Sequence, residues 1–248
     1  MPSPDAAFLD VDGRQIAYRK RDGASPTLVF FPGYASDMEG TKALALDRFA
    51  EASCLSMLRL DYSGTGSSAG RFDEGTLENW LDEALAAIDR LTDGPLVIIG
   101  SSMGGWIALH VALRRPERIA ALVGIAAAPD FTDWGFTPEE KAALLAAGRL
   151  EEPNPYGPEP QLFTYGFWQS GQKLKLLNEE IGIERPVRLV HGEKDEDVPL
   201  DIAFRTMRRL RSSDVQLLVI KGGGHRLSDP HEIDAILRTV SGLLEQSP

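Results

Sequence analysis

Three kinds of side chain in this sequence could together perform acyl transfer: a serine set between glycines, a histidine in a glycine-rich loop, and a cluster of carboxylates. The serine lies in Gly100-Ser101-Ser102-Met103-Gly104. The pattern Gly-x-Ser-x-Gly fits one register there, centred on Ser102, because centring it on Ser101 would need glycines at Ile99 and Met103. The five-residue pattern alone is weak, but its context is specific. The apolar run Leu96–Ile99 precedes it and the helical pattern "MGGWIALHVALRR" follows it at once. A nucleophile elbow demands this strand–turn–helix order, with a turn so tight that side chains two positions before and after the serine would collide. Ser102 is therefore the candidate nucleophile. The Met103 N–H, at a helix N-terminus, points toward developing negative charge.

A serine hydroxyl is a poor nucleophile without a base, which is nearly always histidine. The chain has four histidines. His110 falls two turns into the helix after Ser102, where packing is expected. His231 opens the last helix, where it is solvated or capping. His191 ends a strand close to the acids, which suits a structural role. His225, in "IKGGGHRLSD", follows the last strand and a run of glycines. The chain order Ser, acid, His of this architecture selects it as the base. The acid should lie in a loop between them, and "HGEKDEDVP" supplies Asp195, with Asp197 and Glu196 as alternatives and Glu193 as a solvated neighbour. Asp130, after "VGIAAAP", is a further alternative site for the acid. The second oxyanion donor should come from the loop after the third strand, "FFPGYASDMEG", where Gly33 lets the backbone fold back and the Tyr34 N–H would face the substrate oxygen.

One motif is a decoy. Gly64–Ala69, "GTGSSA", matches the dinucleotide fingerprint, but that fingerprint needs a helix beginning within the motif, and here the helix starts near Thr76. The segment reads instead as a turn supporting the floor of the site. No phosphate-loop lysine and no Cys/His ligand spacing occur, so neither a nucleotide cofactor nor a metal is implied.

Composition narrows the partners. A net charge of −11 disfavours nucleic acid, whose phosphates require clustered positive charge. The basic stretch "RTMRRLR" reads as the solvated face of a helix. The single cysteine, Cys54, permits no intrachain disulfide and fits a reducing compartment. The start, "MPSPDAAFLDVDG", has neither a basic nor an apolar signal region. The longest apolar stretch falls well short of the ~20 residues of a membrane span. The expectation is a cytoplasmic protein without a membrane span, its oligomeric state not specified by the sequence.

The elements that must position these residues follow from periodicity. "AFLDVDG" and "RQIAYRKRDG" read as a hairpin turning at Asp12-Gly13. "TLVFFPG", "LSMLRLDYSG", "PLVIIGSS", "ALVGIAAAP", "VRLVHGEKD" and "VQLLVIKGGGH" complete about eight strands, their unbroken apolar runs marking a mostly parallel, doubly covered sheet. "TLENWLDEALAAIDRL" places Leu77, Trp80, Leu81, Ala84, Leu85 and Ile88 on one stripe after a Thr76 cap. Trp106 is expected in the core. The alternation breaks between about 130 and 184, where "TPEEKAALLAAG" is a capped helix with Pro138 at its first position, "EEPNPYGPEPQ" a Pro-rich loop and "LFTYGFWQSGQKLKLL" aromatic and irregular. The expectation is one domain over 1–248 with a small cap insertion at about 130–184. Phe163, Tyr165, Phe167 and Trp168 either line an apolar acyl pocket or simply pack the cap.

Taken together, "FPGYASDMEGTKAL", "RLDYSGTGSS", "GSSMGGWIALH", "HGEKDEDVP" and "GHRLSDP" resemble the α/β-hydrolase superfamily, and within it the subgroup of the animal mitochondrial acyl-protein thioesterase and its bacterial relatives. The resemblance implies an α/β-hydrolase fold and a serine hydrolase of carboxylic esters or thioesters, acting on small acyl substrates or acylated protein. Ser102 would be its nucleophile, Asp195 its acid and His225 its base. One departure stands out: relatives carry an acidic residue before the base histidine, where this chain has Gly224. No Arg-rich leader precedes the domain in this sequence, so mitochondrial targeting is not expected. The same triad could serve lactone or C–C bond hydrolysis or perhydrolysis. Halide displacement would want Asp at position 102, and a non-catalytic ligand receptor would leave an intact triad unexplained.

Overall fold

The computed structural model describes residues 6–245. Residues 1–5 and 246–248, and with them the ends of the expected 1–248 domain and Gln246 of the expected last helix, lie outside the described residues. Eight strands form one sheet: β1 Ala7–Val11, β2 Arg14–Arg21, β3 Ala24–Phe31, β4 Leu55–Leu60, β5 Leu96–Ser101, β6 Ile119–Ile125, β9 Val187–Gly192 and β10 Val215–Ile220. Their order across the sheet is β1-β2-β4-β3-β5-β6-β9-β10. β2 runs antiparallel to both β1 and β4, and every later pairing is parallel. Their C-terminal ends therefore emerge along one edge, and β3, β5, β9 and β10 each release a loop there.

Both faces of the sheet are covered, which is why the inner strands read as unbroken apolar runs. In β5, Leu96 and Ile98 join one buried cluster while Val97 and Ile99 join the other. The first cluster packs against α2 (Leu77–Leu91) and α3 (Met103–Arg114), and the second against α1 (Thr41–Ala52) and α8 (Pro230–Leu244). In α2 the stripe expected from the sequence is the buried one, and Thr76 Oγ1 accepts Asn79 N at 3.1 Å as its cap. Such a cap contributes roughly 1 kcal/mol. α7 (Leu200–Arg209) buries Ile202, Ala203 and Thr206 and leaves Arg208 and Arg209 exposed. That is the solvated basic face expected of "RTMRRLR".

Between β6 and β9 the chain leaves the sheet and builds α4 (Phe131–Trp134), α5 (Pro138–Ala147), the antiparallel pair β7 (Arg149–Glu152) and β8 (Gln161–Thr164), and α6 (Tyr165–Lys173). α5 begins with a full capping box between Thr137 and Glu140. The structure corrects one expectation here: "LFTYGFWQSGQKLKLL" is not irregular but a strand and a helix. Thr164 caps α6 by accepting Phe167 N at 3.1 Å, and Phe163 and Phe167 bury their rings on the main body. Among the described residues no helix is long and apolar enough to cross a membrane.

Candidate active site

Ser102 sits in the turn between β5 and α3 with φ 54° and ψ −120°, a conformation that a non-glycine residue adopts only under constraint. The constraint comes from the backbone around it. Ser102 N donates to Ile125 O at 2.9 Å, and Ser102 O accepts Gly105 N at 2.9 Å and Ala128 N at 3.1 Å. The flanking glycines are a steric requirement. A Cβ on Gly100 would lie 2.2 Å from Gly104 O, one on Gly104 2.1 Å from Phe31 O, and one on Gly105 2.5 Å from Ala127 Cβ. The turn can close only if these positions carry no side chain.

The three residues expected to work together are brought together. Ser102 Oγ lies 3.0 Å from His225 Nε2. His225 Nδ1 lies 2.9 Å from Asp195 Oδ2 and 3.1 Å from Oδ1. A carboxylate can only accept, so Nδ1 carries the proton and Nε2 presents its lone pair to the serine hydroxyl. The Asp195 side chain is fully buried and is fixed by Asp197 N at 3.0 Å and Val198 N at 2.8 Å, both donating to Oδ1.

The alternative acids are engaged elsewhere. Asp130 accepts Leu176 N and Leu177 N, both at 2.8 Å, and burial raises its pKa. Asp197 accepts the Tyr156 hydroxyl. Glu193 Oε2 accepts Gly222 N at 2.9 Å, and Glu196 is exposed. The other histidines behave as their positions suggest. His110 is buried, its Nε2 donating to Leu174 O at 2.8 Å, and burial drives its pKa down to about 4. His191, also buried and shifted down, donates to Val198 O at 2.9 Å, and neutral in this setting it is no ion-pair partner for Asp195. His231 is exposed. Trp106 is fully buried and donates to Leu174 O at 3.0 Å.

Two backbone amides flank the serine. A Cβ on Gly33 would approach Ser102 Cβ to 3.3 Å, so the loop leading into Tyr34 runs directly against the elbow. Among the described residues neither the Tyr34 nor the Met103 amide donates to a protein acceptor. The turn 63–70 underlies this loop: Asp61 accepts Met38 N at 2.7 Å and Ser67 N at 2.8 Å. No helix begins within the dinucleotide-like motif, since the short 3-10 turn Phe72–Glu74 intervenes before α2.

Ser102 and His225 open into a cavity of about 430 Å³. Its aromatic wall includes Tyr34, Phe131, Trp134, Phe136, Tyr156 and Phe163. Of the four aromatics singled out in the sequence, Phe163 alone lines it. Phe167 is buried behind the wall, its ring centroid 4.7 Å from that of Tyr34 and 5.6 Å from that of Trp80. Tyr165 and Trp168 pair with each other, half-buried. Phe131, Trp134 and Phe136 were not singled out, although their clustering directly after β6 was a readable signal. At Gly224 a Cβ would meet nothing within 4 Å, so the position has room for the acidic side chain that the resemblance leads one to expect there.

The order of strands, the elbow and the serine–histidine–carboxylate arrangement are those of an α/β hydrolase. Residues 28–236 match the alpha/beta hydrolase family, and the chain belongs to that family. It is 38% identical over 235 residues to human (Homo sapiens) "Palmitoyl-protein thioesterase ABHD10, mitochondrial", covering 93% of this chain and 77% of that protein. The structure of mouse alpha/beta hydrolase domain-containing protein 10 superimposes with a TM-score of 0.92 at 34% identity, covering 98% of this chain and 99% of the other. A putative hydrolase from Agrobacterium vitis S4 superimposes with a TM-score of 0.91 at 36% identity over the same shares. These relatives overturn the cytoplasmic expectation: the human, orangutan and bovine proteins are all named mitochondrial. That expectation rested on cysteine count and on the first residues of the sequence, neither of which fixes a compartment.

Proposed function

We propose that this chain hydrolyses carboxylic thioesters and oxygen esters through an acyl-enzyme on Ser102, with His225 as general base and Asp195 as its orienting acid. The contact between Ser102 Oγ and His225 Nε2, 3.0 Å, carries the reading. Similarity to a palmitoyl-protein thioesterase supports acyl thioesters as the substrate class.

The steps follow from the geometry. His225 Nε2 takes the hydroxyl proton as Ser102 Oγ attacks the acyl carbon. Asp195 holds the Nδ1–H tautomer and stabilises the imidazolium that forms. The Tyr34 and Met103 amides receive the oxyanion, each such donor supplying about 3–4 kcal/mol of barrier lowering. His225 then protonates the leaving thiol or alcohol, and water repeats the sequence on the acyl-enzyme. The insertion expected at about 130–184 serves as the cap, and Phe131, Phe136 and Phe163 give the acyl chain an apolar wall.

Hydrolysis of matched p-nitrophenyl esters and acyl thioesters tests this reading. Ser102→Ala should lower kcat on both by about 10⁴-fold or more. Activity on either bond type that survived the substitution would refute the assignment.

A further inference from the structure

Residues 221–228 join β10 to α8 and carry His225 directly after Gly222, Gly223 and Gly224. Three successive glycines give this backbone wide freedom, and Gly222 uses it with φ +74°. A general base, by contrast, must be held within hydrogen-bond reach of the proton it takes. Two bonds tie the loop upstream of His225: Gly222 N to Glu193 Oε2 at 2.9 Å, and Lys194 N to Gly223 O at 2.8 Å. Both run to the loop that carries Asp195. They join base and acid into one unit but do not fix that unit against Ser102.

Downstream of the base, the Arg226 carbonyl accepts two donors. Ser228 Oγ, at 3.0 Å, is local. The other is Lys42 Nζ, from the second residue of α1, 184 positions earlier in the chain. α1 starts directly after the 33–40 loop that carries the Tyr34 amide. The Lys42 bond therefore crosses from the oxyanion side of the site to the base side and lands one residue beyond the imidazole. Its ammonium is directed at a carbonyl rather than a carboxylate, which gives a charge-assisted bond about twice as strong as a neutral one.

We propose that Lys42 is a positioning residue for the base, holding the His225 loop against α1 through the Arg226 carbonyl. This rests on the roles given to Ser102 and His225 above. Burial, with the Arg226 charge beside it, brings the Lys42 pKa down to about 8, Glu232 opposing the shift. The charged groups around the ammonium are thus Arg226 and Glu232, with His225 one residue away. The ammonium is present at neutral pH, and the strength of the tie falls as pH rises through that value.

Steady-state kinetics on a p-nitrophenyl ester tests the proposal. A base displaced by about 1 Å costs roughly 10²-fold in rate. Lys42→Met should therefore lower kcat by about 10- to 100-fold at pH 7 with KM within about threefold of the parent, and Lys42→Arg should recover most of the loss. A change in kcat below about threefold, a loss confined to KM, or a loss that Lys42→Arg leaves in place at unchanged melting temperature contradicts it. Should Lys42→Met not fold, Lys42→Gln decides: its shorter, uncharged side chain should lower kcat by about tenfold with KM within about threefold of the parent, and a kcat within about threefold of the parent overturns the proposal. Failure here is separable from failure of the hydrolase reading. If the unsubstituted protein hydrolyses no ester, the roles of Ser102 and His225 fall. If it does while Lys42→Met matches it, this proposal alone falls.

Discussion

At the scale of single residues, environment divides four chemically identical histidines into different jobs. His225 has a carboxylate on one nitrogen and a hydroxyl on the other, while His110 is buried with only the Leu174 carbonyl to satisfy it. The His110 site has a stability consequence. Its folded pKa, about 4, lies below the ordinary value of 6.5, so the unfolded chain binds the extra proton first as pH falls. The contribution is fully present above about pH 6.5 and is lost as pH falls toward 4, at about 1.4 kcal/mol per pH unit across that window. Thermal melts of the parent should fall in midpoint from pH 7 to pH 5, and His110→Gln, which keeps a donor for the carbonyl, should flatten that slope. An unchanged slope in the variant would contradict a neutral buried His110. The sorting of the histidines was legible in the sequence because each one's position relative to strand ends and helices already constrains its surroundings. The wall of the cavity was not. Phe163 and Phe167 are neighbours on the same segment, yet one faces the cavity and the other the core, and that choice depends on how β8 and α6 dock.

At the scale of elements, the junction of β5 and α3 is specified almost wholly by what its side chains must not be. Gly104 lies against the Phe31 and Pro32 carbonyls, the backbone that leads into Gly33 and Tyr34. Added carbon there meets main chain that cannot rotate away. Gly104→Ala should destabilise the fold by about 1–3 kcal/mol or more through overpacking and lower kcat by displacing the oxyanion loop. Gly242→Ala, in α8 with nothing within 4 Å of the added carbon, is the control and should leave the melting midpoint level or slightly raised. Denaturation and kinetics on the pair decide; equal effects from both substitutions would remove the steric account of the elbow. Strands β3, β5 and β6 and helix α2 were readable because burial on both faces or on one stripe writes a pattern into the sequence. The strand pair β7–β8 was not, because its burial pattern is weak and its pairing is set by tertiary contact with the body. α1 is similar, its N-cap Gly40 having no side chain to cap it.

At the scale of the whole molecule, the parallel sheet gathers the ends of β3, β5, β9 and β10 along one edge, so that Tyr34, Ser102 and His225, far apart in the chain, line one cavity with Asp195 buried behind the imidazole. The segment between β6 and β9 closes over that edge and supplies most of the aromatic wall. The proposed mechanism requires this convergence to make one hydroxyl among many chemically distinct. Reaction with a fluorophosphonate, followed by intact-mass and peptide mass spectrometry, measures it most directly. A single adduct is expected, on Ser102, formed at a rate that falls at least about a hundredfold in His225→Gln. Labelling at another residue, no labelling at all, or a rate indifferent to the loss of His225 would contradict it.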